Sequence, residues 1–317
     1  MAILEDAGLI LRVMRYRETS RIVVALTRRH GKIHLLAKGA REYKKGFGGA
    51  LEALTCSQLV LYHKKNRDLH LLHSAFVLRA YLRILRDPET YHLASAATEF
   101  ILRVLPDEDP VPEIFAELGA WLARCDRRPG RVTHQALKAF QLRVVALLGY
   151  APRLAHCAHC GGKIAPPVRF GVAEGGVLCD RCPAMGATLR VDRPALVWLR
   201  HLAQGAGTAG VAPGGAGTPT GVTPGGAETP AGAAPGEAGA LGEAGAPGED
   251  AAIELPLTVE RQVAEIIEAF LRYHITGYRG LRSLKSLTAW RALRRRGAPP
   301  AGRAADDRRG TSPGESG

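Results

Sequence analysis

The chain has 317 residues, 46% of them hydrophobic, and its 43 Lys+Arg outnumber its 30 Asp+Glu to give a formal charge of +13. This length predicts two or more domains, while six cysteines are too few for a disulfide scaffold and no stretch reaches the roughly 18 consecutive apolar residues of a membrane span. The acidic start of the chain is unlike a signal peptide, so we expect a cytoplasmic protein whose excess of cations favours acidic partners, nucleic acid before anionic membrane.

Residues 1–80 show the alternation of apolar and polar side chains that is typical of β-strands. Five short runs of this kind are separated by turn signals, such as His30-Gly31 and the charged segment at residues 64–68. Strands of this number and length suit a small all-β barrel. We therefore predict that residues 1–80 form a β-barrel domain.

From about residue 78 the apolar spacing changes to the period of amphipathic helices. One apolar stripe runs from Ile114 to Cys125, and a second runs from Leu137 to Leu148. The turn residues Pro129-Gly130 separate the two. We therefore predict a mostly helical domain over residues 81–204.

Residues 205–250 interrupt this helical region with a segment that holds 15 Gly, 6 Pro and no Lys or Arg. Because no spacing within it would bury an apolar face, the segment cannot offset its ordering entropy, and we predict a disordered insertion. Beyond it, a stripe from Val259 to Phe270, with Thr258 as the candidate N-cap, predicts C-terminal helices over residues 251–296 that complete the helical domain. We predict that residues 297–317 are a disordered tail.

Four cysteines stand in a C-x2-C-x18-C-x2-C arrangement: Cys157, Cys160, Cys179 and Cys182. This spacing is typical of a structural zinc site, in which two tight turns each supply two thiolates to one tetrahedral ion. We predict one structural Zn²⁺ per chain, in a module that spans about residues 154–190. Redox-active or unligated thiols remain an alternative, as does replacement of one cysteine by His156 or His159.

Nothing in the sequence indicates an enzyme. Four cysteine ligands leave no open position on zinc, and Leu178, rather than the proline of zinc deaminases, precedes Cys179. The sequence also lacks the phosphate-loop, dinucleotide-binding and serine-hydrolase motifs. Cys56 and Cys125 lie in apolar patterns, which favours buried thiols over nucleophiles. Five histidines without metal-binding spacing are interpreted as surface or satisfied side chains: His30, His34, His63, His70 and His73.

Residues 1–80 carry 15 Lys+Arg against 6 Asp+Glu, and aromatic residues lie between the cations at Tyr16, Tyr43, Phe47 and Tyr62. A small barrel with basic loops and aromatic platforms can follow a phosphate backbone and stack bases. The candidate DNA-binding residues are Arg12, Arg15, Arg17, Lys38, Arg41, Lys44, Lys45, Lys64, Lys65 and Arg67. The alternative is a solvated basic surface with the aromatic residues in the core. A second basic run, at residues 291–296, is either a phosphate contact or a cationic helix end.

Four segments resemble the RecO family of bacterial DNA repair proteins. They are RETSRIVVALTRRHGK at residues 17–32, LAKGAR at residues 36–41, the cysteine pairs that follow LGY at residues 148–150, and LRSLKSL at residues 281–287. The resemblance spans about residues 1–200 and 253–290, and the insertion at residues 205–250 departs from it. It implies an α+β multidomain protein, with an N-terminal OB-fold β-barrel followed by a mostly helical domain that carries the four-cysteine zinc module.

The same resemblance implies a function in DNA repair. Members of this family are recombination mediators of the RecF pathway that bind single- and double-stranded DNA and anneal complementary strands. They act with RecR, and often with RecF, to load recombinase on strands coated by single-stranded-DNA-binding protein. The expectation is therefore a nucleoid-associated cytoplasmic protein without enzymatic activity or a membrane partner. Two rivals stay open: an enzyme that acts on nucleic acid through the zinc, and a zinc-ribbon protein that binds RNA or associates with transcription.

Overall fold

A computed structural model of the chain describes residues 2–41, 47–63, 67–204 and 256–295. The predicted insertion at residues 205–250 and the predicted tail at residues 297–317 lie outside the described residues. Within the described ranges, no helix is long and apolar enough to cross a membrane.

Five strands close into a barrel in the first part of the chain. They are β1 (Ala2–Tyr16), β2 (Ser20–Thr27), β3 (Gly31–Ala37), β4 (Thr55–His63) and β5 (His70–Ala80). Their order around the barrel is β1-β2-β3-β5-β4, and each neighbouring pair is antiparallel except β3 and β5. The predicted small β-barrel is confirmed, and its five-stranded closed topology is OB-like.

Strand β1 contributes side chains to two different cores and contains a bulge. The pairing with β2 shifts between Ile10 and Arg12, which makes Leu11 the extra residue. Ile10 packs inside the barrel, whereas Leu9 and Leu11 lie in the core shared with the helices. Leu9 and Leu11 thus place the middle of β1 against the helical region, and the exposed Arg12 directly follows the bulge.

Six α-helices and a small sheet follow the barrel in the described part of the chain. The helices are α1 (Pro88–Val104), α2 (Pro112–Arg127), α3 (His134–Leu147), α4 (Arg193–Gln204), α5 (Leu257–His274) and α6 (Arg282–Arg295). The sheet has the order β7-β6-β8, with β6 (Val168–Gly171), β7 (Gly176–Leu178) and β8 (Thr188–Val191) lying between α3 and α4. The predicted combination of a barrel and a mostly helical part with a cysteine module is confirmed.

The predicted apolar stripes are the buried faces of their helices. Ile114, Leu118 and Trp121 of α2 are buried. The stripes of α3 and α5 are buried in the same way, except that Leu148 and Val259 at their ends are half-buried. The prediction of Thr258 as an N-cap is wrong, because α5 begins at Leu257 and the N-cap position is Pro256, which makes no side-chain cap. The fixed φ of the proline ring turns the chain into the helix, so that Thr258 lies inside the first turn.

Candidate metal centre and nucleic-acid interface

Two tight turns carry the four cysteines of the predicted zinc module. In the first, the N–H of Gly161 donates to the carbonyl of Cys157 at 2.9 Å, and Gly161 has the positive φ of 71° that this turn requires. In the second, which follows β7, the N–H of Cys182 donates to the carbonyl of Cys179 at 3.3 Å. A bond of 2.7 Å from the N–H of Ala158 to the carbonyl of Val177 ties the first turn to β7. Both turns are therefore anchored to the same strand.

The turns bring the four sulfur atoms of Cys157, Cys160, Cys179 and Cys182 within 4.8 Å of one another. The Sγ atoms of Cys160 and Cys179 are 3.8 Å apart. A zinc tetrahedron with bonds of 2.3 Å has ligand atoms about 3.8 Å apart, so this spacing fits a zinc ion. His156 and His159 are exposed and do not belong to this four-sulfur group. The cluster could thus hold a metal ion through four cysteines.

Backbone donors act on the sulfur atoms of the cluster. Desolvation raises the pKa of Cys157, but N–H donors from Cys160, Cys179 and His159 outweigh it and lower this pKa from 9.0 to about 6. In contrast, hydrogen bonds with the thiols of Cys160 and Cys179 raise the pKa of Cys182 to about 12. The thiolate of Cys157 is thus favoured, whereas Cys182 resists ionisation. A cation at the centre is what would allow all four to be thiolates.

The sheet of the module packs against α5. The ring of Phe170 in β6 meets that of Phe270 edge-on, with centroids 6.2 Å apart. The Nε2 atom of His274 lies 2.8 Å from the carbonyl oxygen of Val172. Both contacts link the cysteine module to a helix that lies beyond residue 250 in the sequence. Loosening of the module is therefore expected to affect the packing of α5.

The described candidate DNA-binding residues are all exposed: Arg12, Arg15, Arg17, Lys38, Arg41 and Arg67. Several of them share one end of the barrel, because the start of β2 pairs with both the end of β1 and the end of β3. Arg41 reinforces this arrangement, since its N–H donates to the carbonyl of Thr19 at 2.9 Å and its guanidinium to the carbonyl of Glu18 at 2.7 Å. Arg12 lies three residues farther from this end, opposite Val24 in the middle of β2. The basic end, defined as Arg15, Arg17, Lys38 and Arg41 together with the neighbouring Arg12, is the candidate nucleic-acid interface.

Other predicted contacts lie apart from the basic end or outside the described residues. Arg67 lies in the connection between β4 and β5. Lys44, Lys45, Lys64 and Lys65 lie outside the described residues, as does Tyr43. Phe47 packs against the barrel core, and the guanidinium of Arg17 lies 5.4 Å from the centroid of the Tyr16 ring. At the second basic run, Arg291 forms an ion pair with Glu89 of α1, which gives it a structural role.

Sequence analysis missed one group of possible metal ligands. His63, His70 and Glu108 present ligand atoms within 4.8 Å of one another. The two histidines stand seven residues apart across a hairpin, and the glutamate lies 38 residues beyond His70. A hairpin prediction with an exact register would have paired the histidines, but no local signal in the sequence points to Glu108.

Comparison with known proteins gives two family matches that together cover most of the described chain. Residues 1–81 match the family model described as "Recombination protein O N terminal", and residues 85–210 match the one described as "Recombination protein O C terminal".

Individual relatives described as "DNA repair protein RecO" are similar over the same region. The protein from Anaeromyxobacter dehalogenans strain 2CP-C is 36% identical over 200 residues, which are 62% of this chain and 78% of the relative. The protein from Myxococcus xanthus strain DK1622 is 32% identical over 205 residues, or 64% of this chain and 83% of the relative. The protein from Geobacter metallireducens is 34% identical over 191 residues, which are 60% of this chain and 77% of the relative.

Proposed function

The chain belongs to the recombination protein O family of DNA repair proteins, and from this premise we propose that it is a non-enzymatic, DNA-binding recombination mediator. In this proposal it binds single- and double-stranded DNA and anneals complementary strands. It then acts with RecR, and often with RecF, to load recombinase on DNA coated by single-stranded-DNA-binding protein. In the same proposal, the protein is cytoplasmic and associates with the nucleoid.

The observation that carries this proposal is the basic end of the OB-like barrel. Arg15 and Lys38 are exposed where the strand register gathers the ends of β1 and β3 beside the start of β2, and the exposed Arg12 lies three residues before Arg15 on β1. A nearby cation, Arg21, is instead held by Glu52, with 2.9 Å between Nη1 and Oε1. Exposed guanidinium and ammonium groups at one end of a barrel are suited to phosphates, because each phosphate contact releases condensed counterions. Contacts with phosphates do not depend on the base sequence, and a protein that anneals any pair of complementary strands requires this independence.

We propose one structural Zn²⁺ per chain at Cys157, Cys160, Cys179 and Cys182. When bound there, zinc serves as a cross-link between the two turns of the module. The cysteines hold the turns in place, and β6 carries that order to α5 through the rings of Phe170 and Phe270. Four sulfur ligands leave no position for a reacting water, which supports a structural role and a protein without catalytic residues.

Strand annealing by the full-length protein tests this proposal. We expect the wild type to accelerate annealing of complementary strands, both bare and coated with single-stranded-DNA-binding protein. Arg12→Ala/Arg15→Ala should lose most of the acceleration, whereas Arg261→Ala, an exposed arginine on α5, should keep it. Absence of acceleration by the folded wild type would reject the mediator function.

Two further readouts separate the rival functions. RNA of matched sequence that competes as well as single-stranded DNA would favour the RNA-binding alternative, since an OB-like scaffold serves both ligands. Metal-dependent cleavage or modification of the strands would indicate an enzyme.

A further inference from the structure

A pair of histidines faces a glutamate where the barrel meets the connection between α1 and α2. His63 ends β4 and His70 begins β5, and the pairing of Tyr62 with Leu71 places the two histidines opposite each other. Their rings are stacked, with centroids 4.6 Å apart and an interplanar angle of 30°. Glu108 approaches from the other side, outside both strands. The two strands of one hairpin and a loop distant in sequence thus converge on one point.

The carboxylate of Glu108 lies close to an Nε2 atom of each histidine. Its Oε1 is 2.8 Å from Nε2 of His70, and its Oε2 is 3.9 Å from Nε2 of His63. The second distance is too long for a hydrogen bond. Ligands on one tetrahedral ion with bonds of about 2.1 Å are about 3.4 Å apart, a value that lies between the two distances.

Contacts that do not involve the two histidines hold Glu108 in this position. Its N–H donates to the carbonyl of Lys32 at 2.9 Å, and its backbone has a φ of 55°, in the left-handed region. The neighbouring Asp107 is held by Lys32 Nζ and by His34 Nε2, each 3.2 Å from Oδ1. A non-glycine residue at positive φ costs free energy, so the surroundings fix this conformation. The carboxylate is therefore presented to the histidines by a loop that is anchored independently of them.

Gly31 adds a steric reason for the close approach of this loop. A Cβ atom at Gly31 would lie 2.3 Å from the carbonyl oxygen of Asp109, and the φ of Gly31 is 70°. Only glycine permits both that conformation and that approach. The backbone of the loop at residues 107–109 is thus packed against the barrel, with the carboxylate of Glu108 beside the two histidines.

We propose that His63, His70 and Glu108 form a second metal site, distinct from the four cysteines, for a divalent transition metal such as Zn²⁺. Two imidazoles and one carboxylate are ligands that zinc accepts, and three protein ligands leave one position open. The side chain of His70 is fully buried, while those of His63 and Glu108 are 28% and 45% exposed, so the open position faces solvent. An ion bound there joins the β4–β5 hairpin to the α1–α2 connection.

Zinc stoichiometry of the full-length protein tests this site. Wild type, His63→Gln, Glu108→Gln and the control His73→Gln are each given excess Zn²⁺, desalted and analysed for metal content. His73 is exposed on β5 and contacts the ring of Tyr62, outside the proposed site. We expect wild type and His73→Gln to retain one equivalent more than His63→Gln and Glu108→Gln. The test compares the zinc content of each variant with that of wild type, and all of these proteins keep the four cysteines. The result therefore does not depend on whether the cysteines hold zinc.

Two further measurements guard against misfolding and identify the ligands. Melting curves before zinc addition select the variants that fold, and His63→Gln is the milder change should Glu108→Gln unfold. Added Zn²⁺ should then raise the melting temperature of wild type and His73→Gln by more than that of His63→Gln, which keeps only the cysteine site, because a ligand of the folded state stabilises it. When Co²⁺ replaces Zn²⁺, wild type and His63→Gln should show the same thiolate-to-metal absorption, because the ion that His63→Gln loses has no cysteine ligand. Equal zinc content in folded His63→Gln and wild type would overturn the proposal.

Discussion

The ε-ammonium group of Lys32 lies 2.6 Å from the carbonyl oxygen of Leu105, at the point where the barrel meets the end of α1. The same group donates to the carbonyl of Leu102 at 3.1 Å. The last carbonyls of a helix have no partner within it and attract cations. Lys32 is buried, so this basic residue of the TRRHGK run caps a helix and does not belong to the basic surface.

Replacement of Lys32 by methionine should therefore cost stability and spare DNA binding. Lys32→Met keeps the length of the side chain but leaves buried carbonyls unsatisfied, a loss of about 1–3 kcal/mol. Lys38→Met is the matched change at an exposed lysine and should alter stability by less than about 0.5 kcal/mol. Urea denaturation of both variants measures the difference. Equal unfolding midpoints would show that the Lys32 contacts contribute nothing.

Glu99 holds the start of α6 against α1. Its carboxylate accepts the backbone N–H groups of Arg282 and Ser283 at 2.9 and 2.8 Å, and the hydroxyl of Ser283 at 2.9 Å. Desolvation by burial raises the pKa of this carboxyl, but these donors together with Arg103 outweigh it and lower the pKa below 4.5. The LRSLKSL run thus contains the start of α6, and the side chain of Glu99 from α1 caps the first backbone N–H groups of that helix.

The lowered pKa of Glu99 gives a pH dependence with a definite sign. Because the folded pKa lies below the unfolded value, the contribution is complete above the unfolded value and is lost as pH falls through the folded one. Glu99→Gln should cost about 1–3 kcal/mol at pH 7 and lose less stability than wild type on acidification below pH about 4.5. Glu265→Gln, on the exposed face of α5, is the control. Parallel urea midpoints for Glu99→Gln and wild type across this range would contradict the assignment.

Removal of one cysteine ligand should reduce metal content and stability together. Binding energies of about 10–16 kcal/mol in zinc peptides show that such sites can organise a fold. We expect Cys157→Ser to lower bound zinc and the melting temperature, with α5 affected through Phe170 and Phe270. His156→Gln and His159→Gln, both at exposed positions beside the cluster, should retain the metal. Wild-type protein purified without chelator that contains no zinc would reject the cysteine site.

Local patterns in the sequence were sufficient to predict the strands and helices, because the alternation of apolar residues and their helical spacing indicate which face of each element is buried. The stripe of Ile114, Leu118 and Trp121 is the buried face of α2, and the cysteine spacing brought four sulfurs together. Contacts between distant elements could not be derived in the same way. The helix cap at Lys32 and the approach of Glu108 to His70 depend on how the barrel docks on α1, which no periodicity encodes.

The central claim is that the basic end of the barrel binds the DNA backbone. Each phosphate neutralised on a single strand contributes about −0.7 to the slope of log K against log salt. Arg12→Ala/Arg15→Ala should therefore weaken binding of every sequence and flatten the slope by about 1.4, if each arginine contacts one phosphate. The candidates outside the described residues are tested in the same way by Lys44→Ala/Lys45→Ala and Lys64→Ala/Lys65→Ala. The melting temperature should hardly change, because Arg12 and Arg15 are exposed.

The most direct measurement is the affinity of the full-length protein for single-stranded DNA at several salt concentrations, for wild type, Arg12→Ala/Arg15→Ala and the control Arg261→Ala. We predict a weaker affinity and a flatter slope for the double variant, with wild-type values for Arg261→Ala, which lies on α5. Wild-type affinity and slope in the folded double variant would contradict the claim and place the DNA-binding surface elsewhere on the protein.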